Sequence, residues 1–245
     1  MADPQALSEK SYHDNGNLAS ERSQVGEVLH GPFKEYDEEG HLALEGNFKN
    51  GVLEGPYRQF NPDGSPTSEM TFFNGKLEGM LTNYDETQQP AQQMNYQGGK
   101  LNGISTFYEQ GRVLMTMEYR NDKINGLLTT FDEQSQPGSR LRYTAGKQHG
   151  LSTWFDPQGR IFETCVFKDG IKDGESLAYH PNGQVRTKKT FKTGLVEGEV
   201  LEYDEDGKMC KRTEYQKNKP VKELPLDQDE AQANEKKSLW SMITE

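Results

Sequence analysis

Apolar and aromatic positions recur along this chain with a period of 24 residues. Taking Gly31, Gly55, Gly79, Gly103, Gly126, Gly150, Gly174 and Gly198 as origins, the spacings are 24, 24, 24, 23, 24, 24 and 24. A ring stands at phase +5 of each repeat: Tyr36, Phe60, Tyr84, Tyr108, Phe131, Phe155, Tyr179 and Tyr203. A second stands at +17, or +16 in the shortened repeat: Phe48, Phe72, Tyr96, Tyr119, Tyr143, Phe167, Phe191 and Tyr215. The two rows hold 16 of the 24 Phe, Tyr and Trp residues, so they define the chain's organisation. A period between 20 and 50 residues marks a repeat array rather than an ordinary enzyme domain.

Within each period the pattern predicts two strands and a tight turn. YDEEG, FNPDG, FDPQG, YHPNG and YDEDG occupy phases +5 to +9 in five repeats. Pro62, Pro157 and Pro181 suit the second position of a type I turn, and the closing glycine suits a left-handed backbone. This is a three-residue hairpin loop. It pairs +5 with +11, +3 with +13 and +1 with +15, so odd phases of both strands, and both ring rows, are expected on one face. The apolar residues at +1 (Pro32, Pro56, Met80, Ile104, Leu127, Leu151) would share it. Repeat 4 lacks one loop residue, and a two-residue Gln110-Gly111 turn would still pair Tyr108 with Val113. The second turn, as in KNGVLEG, carries the hairpin dipeptide Asn-Gly. Simple pairing there shifts the face by one residue, unless a bulge at the origin glycine absorbs it.

The expected fold is all-β: an elongated antiparallel β-hairpin array of about 24-residue repeats. Residues 1–30 form an N-terminal cap with a degenerate half repeat around Tyr12, 31–216 the eight repeats, and 217–245 a C-terminal tail or capping helix. Leu239, Trp240, Met242 and Ile243 would be the helix's apolar residues. Hydrophobic residues are only 31% of the chain and its formal net charge is −11, which a thin array tolerates better than a compact ball. Cys165 and Cys210 fall at different phases, so free thiols in a reducing compartment are expected. Neither a secretory signal nor a transmembrane run is read, which places the protein in a cytosol.

Gly-x4-aromatic, the turn glycine, and the second aromatic followed by Asn-Gly-x3-Gly resemble the MORN family. The closest form is the variant of bacterial proteins of the YwqK antitoxin type. YRQFNPDGSPTSEMTFFNGKLEG, STWFDPQGRIFETCVFKDGIKDG and LAYHPNGQVRTKKTFKTGLVEG carry the likeness, which runs from about Tyr12 to Tyr215. Gln88 and Ser135 depart from it by replacing the turn glycine. The resemblance implies an immunity protein that neutralises a partner toxin by direct binding. It also leaves open a structural scaffold or a membrane-associated adaptor.

No histidine pair has metal spacing and no nucleophile or phosphate-binding motif appears, so no enzyme, metal or cofactor is expected. Residues that break the repeat are the candidates for partner binding. Phe107 and Trp154 at +4, with Leu114 and Phe162 at +12, are expected opposite the rings. There they form either an exposed interface or a face covered by the curled sheet or the C-terminal segment. At +14 the charges run Glu45, Glu69, Gln93, Thr116, Arg140, Thr164, Lys188 and Arg212, acidic first and basic last. An acidic body suits a basic toxin domain, and the negative balance argues against nucleic acid. No membrane role is the first expectation, and the oligomeric state is not legible.

Overall fold

The computed structural model describes residues 7–226, which contain 24 β-strands and no helix. The helix expected over 227–245 lies outside the described residues. Two compact units divide the chain, residues 1–125 and 126–245, and each is an antiparallel succession of hairpins.

Two expected boundaries move. Leu7–Tyr12 pairs with Leu18–Val25 as a complete hairpin rather than a half repeat, and Val28–Tyr36 runs as one strand across residue 30. In the second unit Lys219–Glu223 pairs with Met209–Gln216, so strand structure continues past 216 into the expected tail.

The first turn is built by its opening residue. Asp85 Oδ1 accepts the N–H groups of Thr87 and Gln89 at 2.8 and 3.0 Å, and Asp132 and Asp156 repeat the arrangement. The Thr87 hydroxyl and the Gln89 N–H hold the Asp85 carboxyl below the usual carboxylate range. Where the closing glycine is missing, the backbone does not change: Gln88 and Ser135 take φ of 63° and 61°. A side chain in that region costs about 1–2 kcal/mol. Gln88→Gly and Ser135→Gly are therefore expected to stabilise the protein by about 1 kcal/mol each, read as a higher urea midpoint. In repeat 4 Gln110 and Gly111 form the two-residue turn, at φ 51° and 75°, and Tyr108 pairs with Val113.

The second turn explains the whole string KNGVLEG. Asn50 and Gly51 are both left-handed, at φ 53° and 83°, the type I′ requirement. Gly51 N–H donates to Leu29 O at 2.8 Å and Gly75 N–H to Leu53 O at 2.8 Å, so successive turns are bonded to one another. The glutamate before the origin glycine caps the next turn: Glu54 accepts from Asn74 N and Glu78 from Gly98 N, at 2.8 and 2.7 Å. The origin glycine then supplies a bulge. Phe48 pairs with Leu53 but Glu45 with Arg58, leaving two more residues on the following strand than on its partner.

The expected register is overturned. Tyr36 pairs with Leu42 as expected, but Glu35 pairs with Leu44, Lys34 with Glu45, Phe33 with Gly46 and Gly31 with Phe48. A second bulge, at +12, leaves one residue unpaired and reverses the parity of the second strand. The two ring rows therefore face opposite sides. One face carries +2, +4, +13, +15 and +17, where Phe33 stacks at 4.6 Å on Phe48 and Tyr57 meets Phe72 at 5.6 Å. The other carries +1, +3, +5, +14 and +16, where the Tyr84 hydroxyl donates to Glu69 at 2.8 Å.

The first face is the more deeply buried one. Phe33 and Leu81 form its core in the first unit, and Cys165, Phe167, Phe191 and Val200 in the second. Cys165 and Ser152 are wholly buried opposite each other, and burial raises the Cys165 thiol pKa, which makes it inert. Both cysteines are free.

Candidate partner-binding face

The parity reversal divides the candidate residues between the two faces and the +12 bulges. Phe107 and Trp154 lie on the buried face, not opposite all the rings. Trp154 packs 6.3 Å from Phe167 against the core of the second unit, while half-buried Phe107 pairs with Met115 in the first. Leu114 and Phe162 are the unpaired residues of the +12 bulges, and both are exposed. The four fall two in each unit.

The +14 acids belong to a neutralised ladder. Lys10, Glu21, Lys34, Glu45, Arg58 and Glu69 stand side by side on consecutive strands of the first unit. Arg58 lies 3.5 Å from Glu45 and 3.1 Å from Glu69, and Lys34 3.9 Å from Glu45. Glu45 and Glu69 thus meet bases on their own sheet, and the picture of an acidic surface at this row does not hold. Burial, then the hydrogen bond to Glu69, raises the Tyr84 phenol pKa. In the second unit the Arg140 guanidinium sits 5.4 Å over the Phe155 ring, a cation–π contact. Lys188 meets Glu175 at 2.8 Å, and that hydrogen bond raises its pKa.

Among the described residues no group of His, Cys, Asp and Glu is arranged to hold a metal ion. His13 and His180 instead bond the carbonyls of Tyr36 and Tyr203, linking neighbouring turns.

What the reversed register exposes is the +1 row. In the first unit Pro32, Pro56, Met80 and Ile104 stand on the open face, and Ile104 is 57% exposed. Beside them, nearer the second turns, lie Val52 and Phe73, the latter 58% exposed. Phe73 pairs with Lys76 one residue beyond the half-buried Phe72–Leu77 pair, so alternation puts it on the open face. The second unit has its own set: Leu127, Leu151, Ile171 and Leu195. Each patch is bordered by exposed lysines, Lys49, Lys76 and Lys100 in the first unit and Lys147 and Lys168 in the second. Contiguous exposed apolar residues rimmed by charge mark an interaction surface. The +1 row is visible in the sequence, but a register without the +12 bulge places it on one face with both ring rows.

Five segments match the model of the MORN repeat variant: residues 8–24, 29–50 and 53–74 in the first unit, 172–193 and 196–217 in the second. The chain carries repeats of this variant in both units. The unmatched stretch holds the departures: Gln88, Ser135 and the shortened repeat 4. No curated protein matches the chain. Among solved structures, a Staphylococcus aureus TarM mutant in complex with fondaparinux, alpha-GlcNAc-glycerol and UDP is 14% identical, with a TM-score of 0.28. That match covers 36% of this chain and 18% of TarM. A Photorhabdus luminescens Tc holotoxin pore is 11% identical at a TM-score of 0.22, covering 89% and 14% respectively. The chain thus spans less than a fifth of either structure's length, and neither bears on its role.

Proposed function

We propose that this MORN-repeat chain is a non-catalytic binding protein of the immunity or antitoxin kind, which holds a partner toxin in the cytosol and blocks it stoichiometrically. The exposed apolar margin carries this reading. Nothing in the hairpin requires Met80 or Ile104 to be apolar where they stand in water, so a surface that another protein covers accounts for them. Glu45 and Glu69 of the +14 row are already paired with Arg58 on their own sheet, so the apolar margin rather than this row would meet a toxin.

Co-expression with the product of the gene adjacent to its own tests the reading. The wild-type chain is expected to protect cells and to co-purify with that product in equal amounts. The double variant Met80→Asp, Ile104→Asp is expected to lose at least about tenfold in affinity while melting normally, because both side chains are exposed. Protection by the variant equal to wild type removes the reading.

The lysines on the same margin support a second reading, a membrane-associated scaffold. Flotation with anionic vesicles, compared with neutral ones, separates the two.

A further inference from the structure

The open margin of the first unit has a spacing that specifies what covers it. Resting on the reading above, we infer that residues 7–125 dock an amphipathic α-helix of the partner across the strands, with apolar residues every seven positions and carboxylates along one flank.

Three observations carry this. First, Pro32, Pro56, Met80 and Ile104 recur once per hairpin. Two strand spacings amount to about 9.6 Å. Seven residues of α-helix rise about 10.5 Å. A helix laid along the row gains only about 0.9 Å per contact on the strands, so its apolar residues stay within about 3 Å of the row's positions over four contacts. An extended peptide repeats same-side residues every ~6.8 Å and falls out of step after one contact.

Second, the row contains a socket. A cleft of about 160 Å³ opens between Pro32 and Pro56, lined also by Lys34, Glu45, Asn47 and Arg58. It has room for one leucine- or phenylalanine-sized anchor. Lys34 and Arg58 are occupied with Glu45 and Glu69, so the walls are held in place before a partner arrives.

Third, the exposed charge on the turn side is mostly basic, with Glu27 the acid at the Pro32 end. Lys49, Lys76 and Lys100 are exposed there, once per repeat, while Glu54 and Glu78 are turned onto turn N–H groups. A helix with glutamates at the same seven-residue interval meets these lysines. A second copy of this chain would set lysine against lysine, and so is disfavoured.

The test uses the full chain and a stapled 22-residue helical peptide with leucine at positions 1, 8, 15 and 22 and glutamate along one flank. Fluorescence anisotropy at low salt is expected to show saturable binding. Binding should weaken at least about tenfold with lysine in place of glutamate, and again with Met80→Asp, Ile104→Asp or the cleft-filling Pro56→Arg. Equal binding of the two peptides, or indifference to these substitutions, overturns the proposal. So does binding of phosphatidylserine vesicles, sensitive to Met80→Asp, by a chain that ignores both peptides. If the helix arm fails while Met80→Asp, Ile104→Asp still abolishes protection in cells, the helix falls and the binding face stands. If the variant still protects, both fall.

Discussion

Gly174→Ala is expected to cost about 3–5 kcal/mol, several times the cost of Gly183→Ala nine residues later. Both glycines have positive φ, at 126° and 87°. Gly183 closes a turn, and a methyl group there meets nothing within 4 Å, so the cost is backbone strain alone, about 1–2 kcal/mol. Gly174 sits in the origin bulge. Phe167 pairs with Lys172 and Cys165 with Ser176, so Val166 alone opposes Asp173, Gly174 and Glu175. A Cβ on Gly174 would stand 2.9 Å from the Val166 Cβ and 3.1 Å from its Cγ1. Its φ also lies well beyond the ordinary left-handed well, where side chains are rarely tolerated. Relief requires the bulge to move, and the bulge sets the register of the strand through Ser176 onto the core of the second unit. Urea unfolding of both variants measures the difference; equal midpoints would show the bulge to be plastic.

That bulge was within reach of sequence reasoning, because a glycine recurring at a fixed phase demands a backbone reason. The other bulge was not. Its unpaired position is filled by Ala43, Thr67, Ala91, Leu114, Gly138, Phe162, Arg186 and Cys210, a set with no common chemistry. An extra residue that needs no special φ leaves no compositional mark, yet it reverses every side chain beyond it. The period, the hairpins and the Gln110-Gly111 turn were therefore legible, while the side each row faces was not. A correct signal did exist in side-chain pairs. Lys34, Glu45, Arg58 and Glu69 alternate in sign only if +3 lies beside +14, which is the observed register. Phe33 and Tyr57 at +2, flanking a glycine at +15, point the same way.

The partner-binding candidates failed to gather for the same reason. Off-row aromatics at +4 lie opposite all the rings only if both ring rows share one side. With the rings split between faces, an off-row ring such as Trp154 completes the core instead. The apolar residues left over are the +1 row, whose regularity disguised them as structural. In a repeat protein a binding surface can be as periodic as the core, and only register distinguishes them.

The buried row itself makes the sharpest energetic test. Phe33 is 5% exposed, and its direct cross-strand neighbour is Gly46. Gly46 has no need of a left-handed backbone, so its smallness is a matter of space alone. A Cβ there would lie 2.7 Å from Phe33 Cε1 and 3.1 Å from Tyr57 Cδ2. Two rings meet over the glycine, and volume is shared across the row. Phe33→Ala is expected to cost about 3–5 kcal/mol through the cavity it leaves beside Phe48. Gly46→Leu is expected to cost about 2–3 kcal/mol through overpacking. Together they should cost about 2 kcal/mol less than their sum, since the leucine enters the space the phenylalanine vacates. Chemical unfolding of the wild type, both single variants and the double variant closes the cycle. An additive result would mean that +2 and +15 do not pack as one layer, and the assignment of the buried face would then lose its main energetic support.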